Sequence, residues 1–144
     1  MEVGDVYGPS SWVDMPQQRI DAFAEATNDH QWIHVDPEKA KDGPFGSTIA
    51  HGYLTLSLLP AASYEVVPRQ GGSMSINYGL NKVRFVSPVP SGSRVRARIA
   101  VASVEPVRDA VQVAWAITVE RDGADKPACV AEWIVRYYPE APVP

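Results

Sequence analysis

Alternation of apolar and polar residues dominates the carboxyl-terminal half of the chain. The apolar positions of three such runs are Val95, Ala97, Ile99 and Val101, then Val111, Val113, Trp115, Ile117 and Val119, then Cys129, Ala131, Trp133, Val135 and Tyr137. A period of two predicts long antiparallel strands with one buried face. The links at residues 87–92 and 121–125 are rich in turn-forming residues, so we expect consecutive strands to be neighbours in one sheet.

An earlier strand is predicted at residues 75–86, where the apolar pattern changes phase. The phase shifts by one residue between Leu80 and Val83. An extra residue in one strand of a pair produces such a shift, so the pattern predicts a bulge near Gly79 to Asn81.

Two helices are predicted in the first third of the chain from their start signals. Asp14 has the pattern of an acidic N-cap, with Pro16 in the first turn of the helix that follows. One face of this helix, at helical spacing, consists of Ile20, Phe23, Ala24 and Thr27. Asp36 and Pro37 repeat the same signal for a short helix, which Gly43 is expected to end.

The segment at residues 28–34 is flanked by these helices but is not expected to be helical throughout, because Asn28 and Asp29 favour turns. Residues 51–59 are apolar on all sides and carry no charge. A short helix of that kind belongs in a protein interior. The pattern therefore predicts the α+β class, with a twisted antiparallel sheet packed against one buried helix.

Length and charge narrow the class of protein. A chain of 144 residues with 45% apolar composition suits one domain over residues 1–144, with residues 139–144 as a loose tail. The net charge of -4 and the pI of 5.3 give no sign of a nucleic-acid or membrane-surface protein. We therefore expect a small molecule as the partner.

The single cysteine, Cys129, cannot form a disulfide within the chain, and we expect it in the core. The start of the sequence lacks a basic and then apolar leader, and no apolar run approaches the ~20 residues of a membrane span. These features predict a cytoplasmic location.

Taken alone, Asp29 is a residue typical of turns and His34 typical of a structural histidine, but together they could also move protons. A carboxylate and an imidazole that hold the same water can take up one proton and return another. His30 and His34 also have the spacing of two metal ligands on a helix, with Asp29 or Asp36 as a third ligand. A metal site is the less favoured interpretation, because turn-forming residues interrupt the helix that such spacing requires.

Other polar residues have simpler interpretations. His51 is expected to hydrogen-bond a backbone group before the buried helix. The arginines at 94, 96 and 98 would either lie on a solvated sheet face or meet the phosphates of a coenzyme A carrier, and the first is favoured.

Four segments together resemble one known family. Residues 23–29 read FAEATND, residues 34–37 read HVDP, residues 46–52 read GSTIAHG, and residues 77–85 read NYGLNKVRF before Pro88 and Val89. This pattern resembles the MaoC-like dehydratase and (R)-specific enoyl-CoA hydratase family, particularly its nodulation-protein-N branch. The likeness covers nearly the whole chain.

The resemblance implies a hot-dog fold, an antiparallel sheet wrapped around a central apolar helix. It implies a lyase that adds water reversibly to a trans-2-enoyl thioester, carried by coenzyme A or a carrier protein, to give the (R)-3-hydroxyacyl product. Asp29 would be the main base and His34 would orient the water and relay a proton, although the two roles could be reversed. No metal or other cofactor is implied.

The remaining site residues complete this expectation. The backbone N–H of Gly52, at the N-terminal end of the buried helix, would donate to the thioester oxygen, and Tyr53 and Asn81 would contact the substrate. Trp32 would either line the mouth of the substrate site or cover the core. A homodimer is expected, because relatives join their sheets edge to edge and an isolated sheet leaves an exposed edge strand.

The chain also departs from the family pattern. Asn28 precedes Asp29 where many relatives have glycine, Gln31 and Trp32 replace an Asn-Pro turn, and Pro60 stands where some relatives have serine. Three other functions therefore stay open: a hot-dog thioesterase, a non-catalytic acyl-binding or structural module, and a metal-dependent enzyme.

Overall fold

The computed structural model describes residues 1–68, 71–72 and 74–139. Its strands are β1 (Val6–Tyr7), β2 (Val13–Asp14), β3 (Met74–Arg84), β4 (Arg94–Val107), β5 (Ala110–Arg121) and β6 (Cys129–Tyr138). Its helices are α1 (Gln17–Thr27), α2 (Trp32–Val35), α3 (Pro37–Lys41), α4 (Gly52–Ser57) and α5 (Leu59–Val66). The predicted α+β class is confirmed, whereas most of the expected tail, residues 140–144, lies outside the described residues.

All the described strands belong to one antiparallel sheet in the order β1-β4-β5-β6-β3, with β2 also paired to β4. The period-two prediction for β4, β5 and β6 is confirmed, since their predicted apolar positions face the core. Val111, at the start of β5, is the exception and is 43% exposed. Trp115 is fully buried at the middle of β5 and anchors that core.

The predicted pairing of β3 with β4 is wrong, because β3 pairs with β6. The link between β3 and β4 does not form a hairpin. Its backbone instead bonds to the segments before α4 and before α1. Ala50 N–H donates to Val89 O at 2.8 Å, and Gly92 N–H donates to Met15 O at 2.8 Å. These bonds carry the chain across to β4 at the other side of the sheet.

The predicted irregularity in β3 is confirmed, and the strand has two register shifts rather than one. The register against β6 shifts between Asn77 and Gly79 and again between Asn81 and Arg84. Lys82, inside the second shift, has a positive φ of 53°. The shifts turn the far end of β3 toward the start of α4.

Of the two predicted helix caps, one is wrong and one is confirmed. Asp14 is not the cap of α1, because it lies in β2 opposite Arg94, and Pro16 occupies the N-cap position without a side-chain hydrogen bond. Asp36 does cap α3, since its carboxylate accepts from the backbone N–H of Lys39 at 3.1 Å.

The central apolar segment forms two helices, α4 and α5, rather than one. Pro60 lacks an N–H and so cannot continue the hydrogen-bond ladder of α4, and the break falls at Leu58. Leu54 and Leu59 are buried, but Tyr53 is 70% exposed and Tyr64 is 76% exposed. The predicted burial of residues 51–59 is therefore confirmed for the face that carries Leu54 and Leu59, whereas the face that carries Tyr53 is exposed.

Cys129 is fully buried on the inner face of β6, as predicted. Burial raises the pKa of its thiol. Among the described residues, no helix is both long and apolar enough to cross a lipid bilayer.

Candidate active site

The end of α1 sets the position of Asp29. Helix α1 stops at Thr27, and Asn28 takes the left-handed conformation with φ of 61°. Asparagine adopts this conformation more readily than most residues, so it can stand where glycine is common. The turn continues as Gln31 N–H approaches Asp29 Oδ1 at 3.4 Å. The altered turn is therefore built from local bonds, and it leaves the Asp29 side chain half exposed.

His34 lies on the short helix α2 and is buried. Its Nδ1 is 2.8 Å from the carbonyl oxygen of Ile49. A carbonyl can only accept a hydrogen bond, so Nδ1–H donates, and in the neutral ring Nε2 keeps its lone pair. Gln17 holds the backbone from the other side, donating from Nε2 to His34 O at 2.7 Å.

His51 directly precedes α4 and is only 2% exposed. Its Nε2 is 3.0 Å from the backbone oxygen of Asp29, which is the backbone bond that the sequence predicted. Its ring stacks on that of His34, with centroids 3.9 Å apart and planes 20° apart. The ring of Phe23 also contacts it, with centroids at 4.9 Å.

Asp29, His34 and His51 come close together. Each has one side-chain nitrogen or oxygen atom that lies within 4.8 Å of the corresponding atoms of the other two. The fold therefore brings together the Asp29 and His34 pair predicted from sequence. A carboxylate open to solvent beside a buried imidazole lone pair can hold a water molecule between them. That is the arrangement that general acid–base chemistry needs.

The metal interpretation of the sequence fits this geometry less well. His30, one of its two histidines, points instead toward Glu25 at 3.7 Å, and Asp36 caps α3. A metal ion binds in the plane of an imidazole at about 2.0–2.1 Å from the nitrogen. The stacked rings of His34 and His51 lie in nearly parallel planes, so their lone pairs do not converge on one point.

A cavity of about 280 Å³ opens beside this cluster. Residues on its wall include His34, Phe45, Gly52, Thr55, Phe85 and Val89. Gly52 begins α4, so its backbone N–H is unpaired by the helix and lies at the positive end of the helix dipole. His34 and Gly52 thus line the same cavity.

The ring of Phe85 packs closely against Gly52. A methyl group added at Gly52 would lie 2.9–3.0 Å from three carbons of the Phe85 ring. Tyr53 meets the same ring edge-on, with centroids 6.0 Å apart. Sequence reasoning missed Phe85 as a wall residue, although its place at the end of the out-of-phase part of β3 was the available signal.

The other predicted substrate contacts are more dispersed. Trp32 packs on Gly43 and lies 4.7 Å beneath the Lys39 ammonium. Asn81 is exposed on β3, and its Nδ2 is 3.3 Å from Glu132 Oε1. Neither residue lies on the wall of the 280 Å³ cavity, and Tyr53 reaches it only through Phe85. Their contact with substrate stays a prediction.

A second, larger cavity of about 760 Å³ lies between α5, β3 and β6, next to position 60. Pro60, Ser63 and Trp133 line it. The Ser63 hydroxyl is already committed to the carbonyl oxygen of Pro60 at 2.7 Å. The serine expected at position 60 from some relatives would face this cavity rather than the Asp29 and His34 pair.

The arginine stripe of β4 forms a paired surface. Arg94 donates to Asp122, and Arg96 and Arg98 meet Glu120. The guanidinium groups of Arg94 and Arg96 also stack on the Trp12 ring, with distances to its centroid of 5.1 and 4.1 Å. The arginines lie on a partly exposed sheet face, as favoured from the sequence, and the structure adds that they are paired with carboxylates.

The fold defines a hot-dog protein in which one carboxylate and two imidazoles meet beside the start of the central helix. The chain belongs to the MaoC-like domain family, whose sequence profile matches residues 1–122. Both the predicted family and the predicted hot-dog fold are thereby confirmed.

Individual relatives extend the match over nearly the whole chain. 3-Hydroxyacyl-thioester dehydratase Z of Mycobacterium tuberculosis is 55% identical over 135 residues, which are 93% of this chain and 89% of that protein. Nodulation protein N of Rhizobium leguminosarum is 46% identical over 135 residues, 92% of this chain and 84% of that protein. Among solved structures, R-hydratase PhaJ1 of Pseudomonas aeruginosa superposes with a TM-score of 0.75 at 26% identity, covering 100% of this chain and 90% of that one.

Proposed function

We propose that this protein interconverts 3-hydroxyacyl thioesters and 2-enoyl thioesters by reversible loss and addition of water. The family, the 55% identical dehydratase and the R-hydratase of the same fold support this reaction. The observation that carries the proposal is the meeting of Asp29 with His34 beside the cavity that Gly52 lines.

The chemistry assigns a role to each group. Asp29 takes a proton from water as the water oxygen bonds to C3 of the substrate. The electrons of the double bond move toward the thioester carbonyl, whose oxygen becomes negative. His34 orients the water through its Nε2 lone pair, accepts the proton from Asp29 on that nitrogen and delivers it to C2, which restores the carboxylate and the neutral imidazole. A positioned acid–base group of this kind is worth about 10²–10⁴-fold in rate.

The negative oxygen needs a donor that is already in place. The backbone N–H of Gly52 faces outward from the first turn of α4 and is not used within the helix. A pre-organised donor of this kind contributes about 3–4 kcal/mol to the transition state. Because Gly52 and His34 line the same cavity, a thioester bound there would present its oxygen to one and its C3 to the water held by the other.

The proposal includes catalysis without a metal, nicotinamide or flavin, since the reaction moves only protons and water. We also propose the (R)-3-hydroxy product, in keeping with the R-hydratase to which the chain is similar. A reducing cytoplasm is the proposed location and matches a lone buried thiol at Cys129.

A homodimer is part of the proposal. Strand β3 lies at the end of the sheet order and pairs on one side with β6. Large apolar side chains stand exposed along it, namely Met74, Ile76, Tyr78 and Leu80, at 42–56%. An exposed edge of this kind invites pairing with another strand, and a second copy of β3 offers a matching surface.

The test is an assay with trans-2-enoyl-CoA substrates of graded chain length, run with and without a metal chelator. Consumption of the double bond, an (R)-3-hydroxy product and indifference to the chelator are expected. Saturated acyl-CoA in parallel tests the thioesterase alternative. Release of free thiol from it, with no hydration at any chain length, would overturn the proposal.

A further inference from the structure

His51 is a buried polar residue to which the proposed reaction gives no step. Its Nε2 faces the backbone oxygen of Asp29 at 3.0 Å, so Nε2–H is the donor of this bond. The same nitrogen lies 4.0 Å from Asp29 Oδ2. The bond spans 22 residues and ties the turn that carries Asp29 to the first residue before α4.

The second feature of His51 is its stack against His34. The ring centroids are 3.9 Å apart, and His34 is itself fixed through Nδ1 to Ile49 O. One ring therefore contacts both members of the proposed pair, Asp29 by a hydrogen bond and His34 by its face. A shift of His51 would change the distance between the carboxylate and the imidazole.

The third feature is an atom that has no protein partner. His51 Nδ1 is buried and unpaired within the described part of the chain. With the proton on Nε2, Nδ1 carries only a lone pair, which is less costly to bury unpaired than a second N–H or a charge. The environment of His51 thus favours one tautomer, the one that donates to Asp29.

We propose that His51 is a positioning residue, which sets Asp29 against His34 through the Nε2–H bond to Asp29 O and the stack on His34. This inference rests on the proposed function, since it assigns the geometry of the same acid–base pair. His51 acts through Asp29 and His34 and does not touch the substrate.

Two variants separate the two contacts of His51, and a third serves as their control. His51→Phe keeps a flat ring against His34 and removes the donor to Asp29. His51→Gln keeps a side-chain N–H of similar reach and removes the ring. His30→Phe is the matched control, because His30 is an exposed histidine adjacent to Asp29 whose partner is Glu25.

A misplacement of about 1 Å at a reacting group costs about 10²-fold. We expect His51→Phe to lower kcat by about that factor with KM changed by less than about threefold. The kcat of His51→Gln should be at least about tenfold higher than that of His51→Phe, and the kcat of His30→Phe should stay within about twofold of wild type. The Nε2–H bond to Asp29 O carries the larger part of this positioning, so equal losses in His51→Phe and His51→Gln, or no loss in His51→Phe, would overturn the proposal.

Coupling to Asp29 gives the readout that a merely structural role would not move. In an Asp29→Asn background, His51→Phe should lower kcat by less than about threefold, because residues that act as one unit are not additive. Multiplied losses would show that His51 acts independently of Asp29.

A measurement without turnover keeps this inference separate from the proposed reaction. Nitrogen-15 NMR of the wild-type protein, at a pH where both rings are neutral, should show the Nε2–H tautomer for His51 and the Nδ1–H tautomer for His34. This result is expected even if no enoyl thioester is hydrated. The opposite tautomer at His51 would contradict the inference, and it can be read even if His51→Phe does not fold.

Discussion

Asn28 determines how the chain enters the site, because its left-handed backbone turns the end of α1 toward Asp29. We predict that Asn28→Gly keeps stability and kcat, whereas Asn28→Ala costs about 1 kcal/mol in the free energy of unfolding and also lowers kcat. Asp109→Ala is the control, since Asp109 has a φ of 63° in the β4–β5 turn, and it should lose stability alone. Urea unfolding and steady-state kinetics provide both readouts, and an Asn28→Ala protein as stable as wild type would contradict the prediction.

Gly52 tests whether glycine is needed for the substrate or for the fold. The Phe85 ring occupies the space that a side chain at position 52 would take. We predict that Gly52→Ala, which keeps the backbone N–H, costs about 1–3 kcal/mol of stability through overpacking and also lowers kcat. Adding Phe85→Ala should then restore part of the lost kcat.

Gly79→Ala is the control for this pair, because an added methyl group at Gly79 meets no atom within 4 Å. Thermal unfolding and kcat are measured for each variant. If Gly52→Ala loses the same kcat with and without Phe85→Ala, the glycine serves the close approach of the thioester rather than the packing of Phe85.

The sequence located Asp29 and His34, because their spacing belongs to a continuous motif of turn and short helix. It also predicted that His51 bonds to a backbone group, although not that this group is the carbonyl of Asp29. The stack of His51 on His34 could not be predicted, since it depends on how the start of α4 packs against α2, 17 residues earlier in the chain. Phe85 was missed for the same reason, because it reaches Gly52 from the end of a different strand.

At the scale of elements, the outer face of β4 and β5 gives a pH-dependent prediction. The hydrogen bond from Arg96 is the main cause that lowers the pKa of Glu120 below its ordinary 4.5, with Arg98 adding to it and burial opposing it. A lowered pKa in the folded state contributes stability that is present above pH 4.5 and is lost as pH falls through the folded value. Glu120→Gln should therefore be less stable than wild type at neutral pH, and the gap should narrow in acid.

Thermal unfolding from pH 7 down to pH 3 measures this gap. Glu105→Gln is the control, since Glu105 accepts from Gln112 rather than from an arginine. A gap between wild type and Glu120→Gln that stays constant over this range would show that the Arg96 bond does not stabilise the folded state.

The elements themselves follow from the sequence to different degrees. The strands β4, β5 and β6 were predictable because each buries one face, which leaves a period-two pattern. The neighbour of β3 was not, because the bonds of Ala50 and Gly92 that redirect the chain are between backbone atoms and leave no side-chain signal. The break between α4 and α5 had a signal in Pro60, whereas the outward face of Tyr53 had none, since composition does not show which face is covered.

At the scale of the whole molecule, the exposed edge of β3 predicts a dimer of twice the 15.7 kDa chain mass. Lysine at both Ile76 and Leu80 should yield a folded monomer, because charges on an edge strand oppose pairing. Val6→Lys is the control, as Val6 is 62% exposed on β1 at the opposite end of the sheet order. Light scattering distinguishes the two, and a monomeric wild type at working concentration would contradict the prediction.

The central claim is that Asp29 and His34 act on one water molecule, and the kcat of Asp29→Asn tests it most directly. The amide has nearly the size of the carboxylate but cannot take the proton, so we predict a loss of at least about two orders of magnitude with an unchanged melting temperature. His34→Gln should lose about as much, and the double variant should be little worse than either single one. An Asp29→Asn protein that kept more than about a tenth of the wild-type kcat at unchanged thermal stability would make Asp29 a turn residue and would contradict the mechanism.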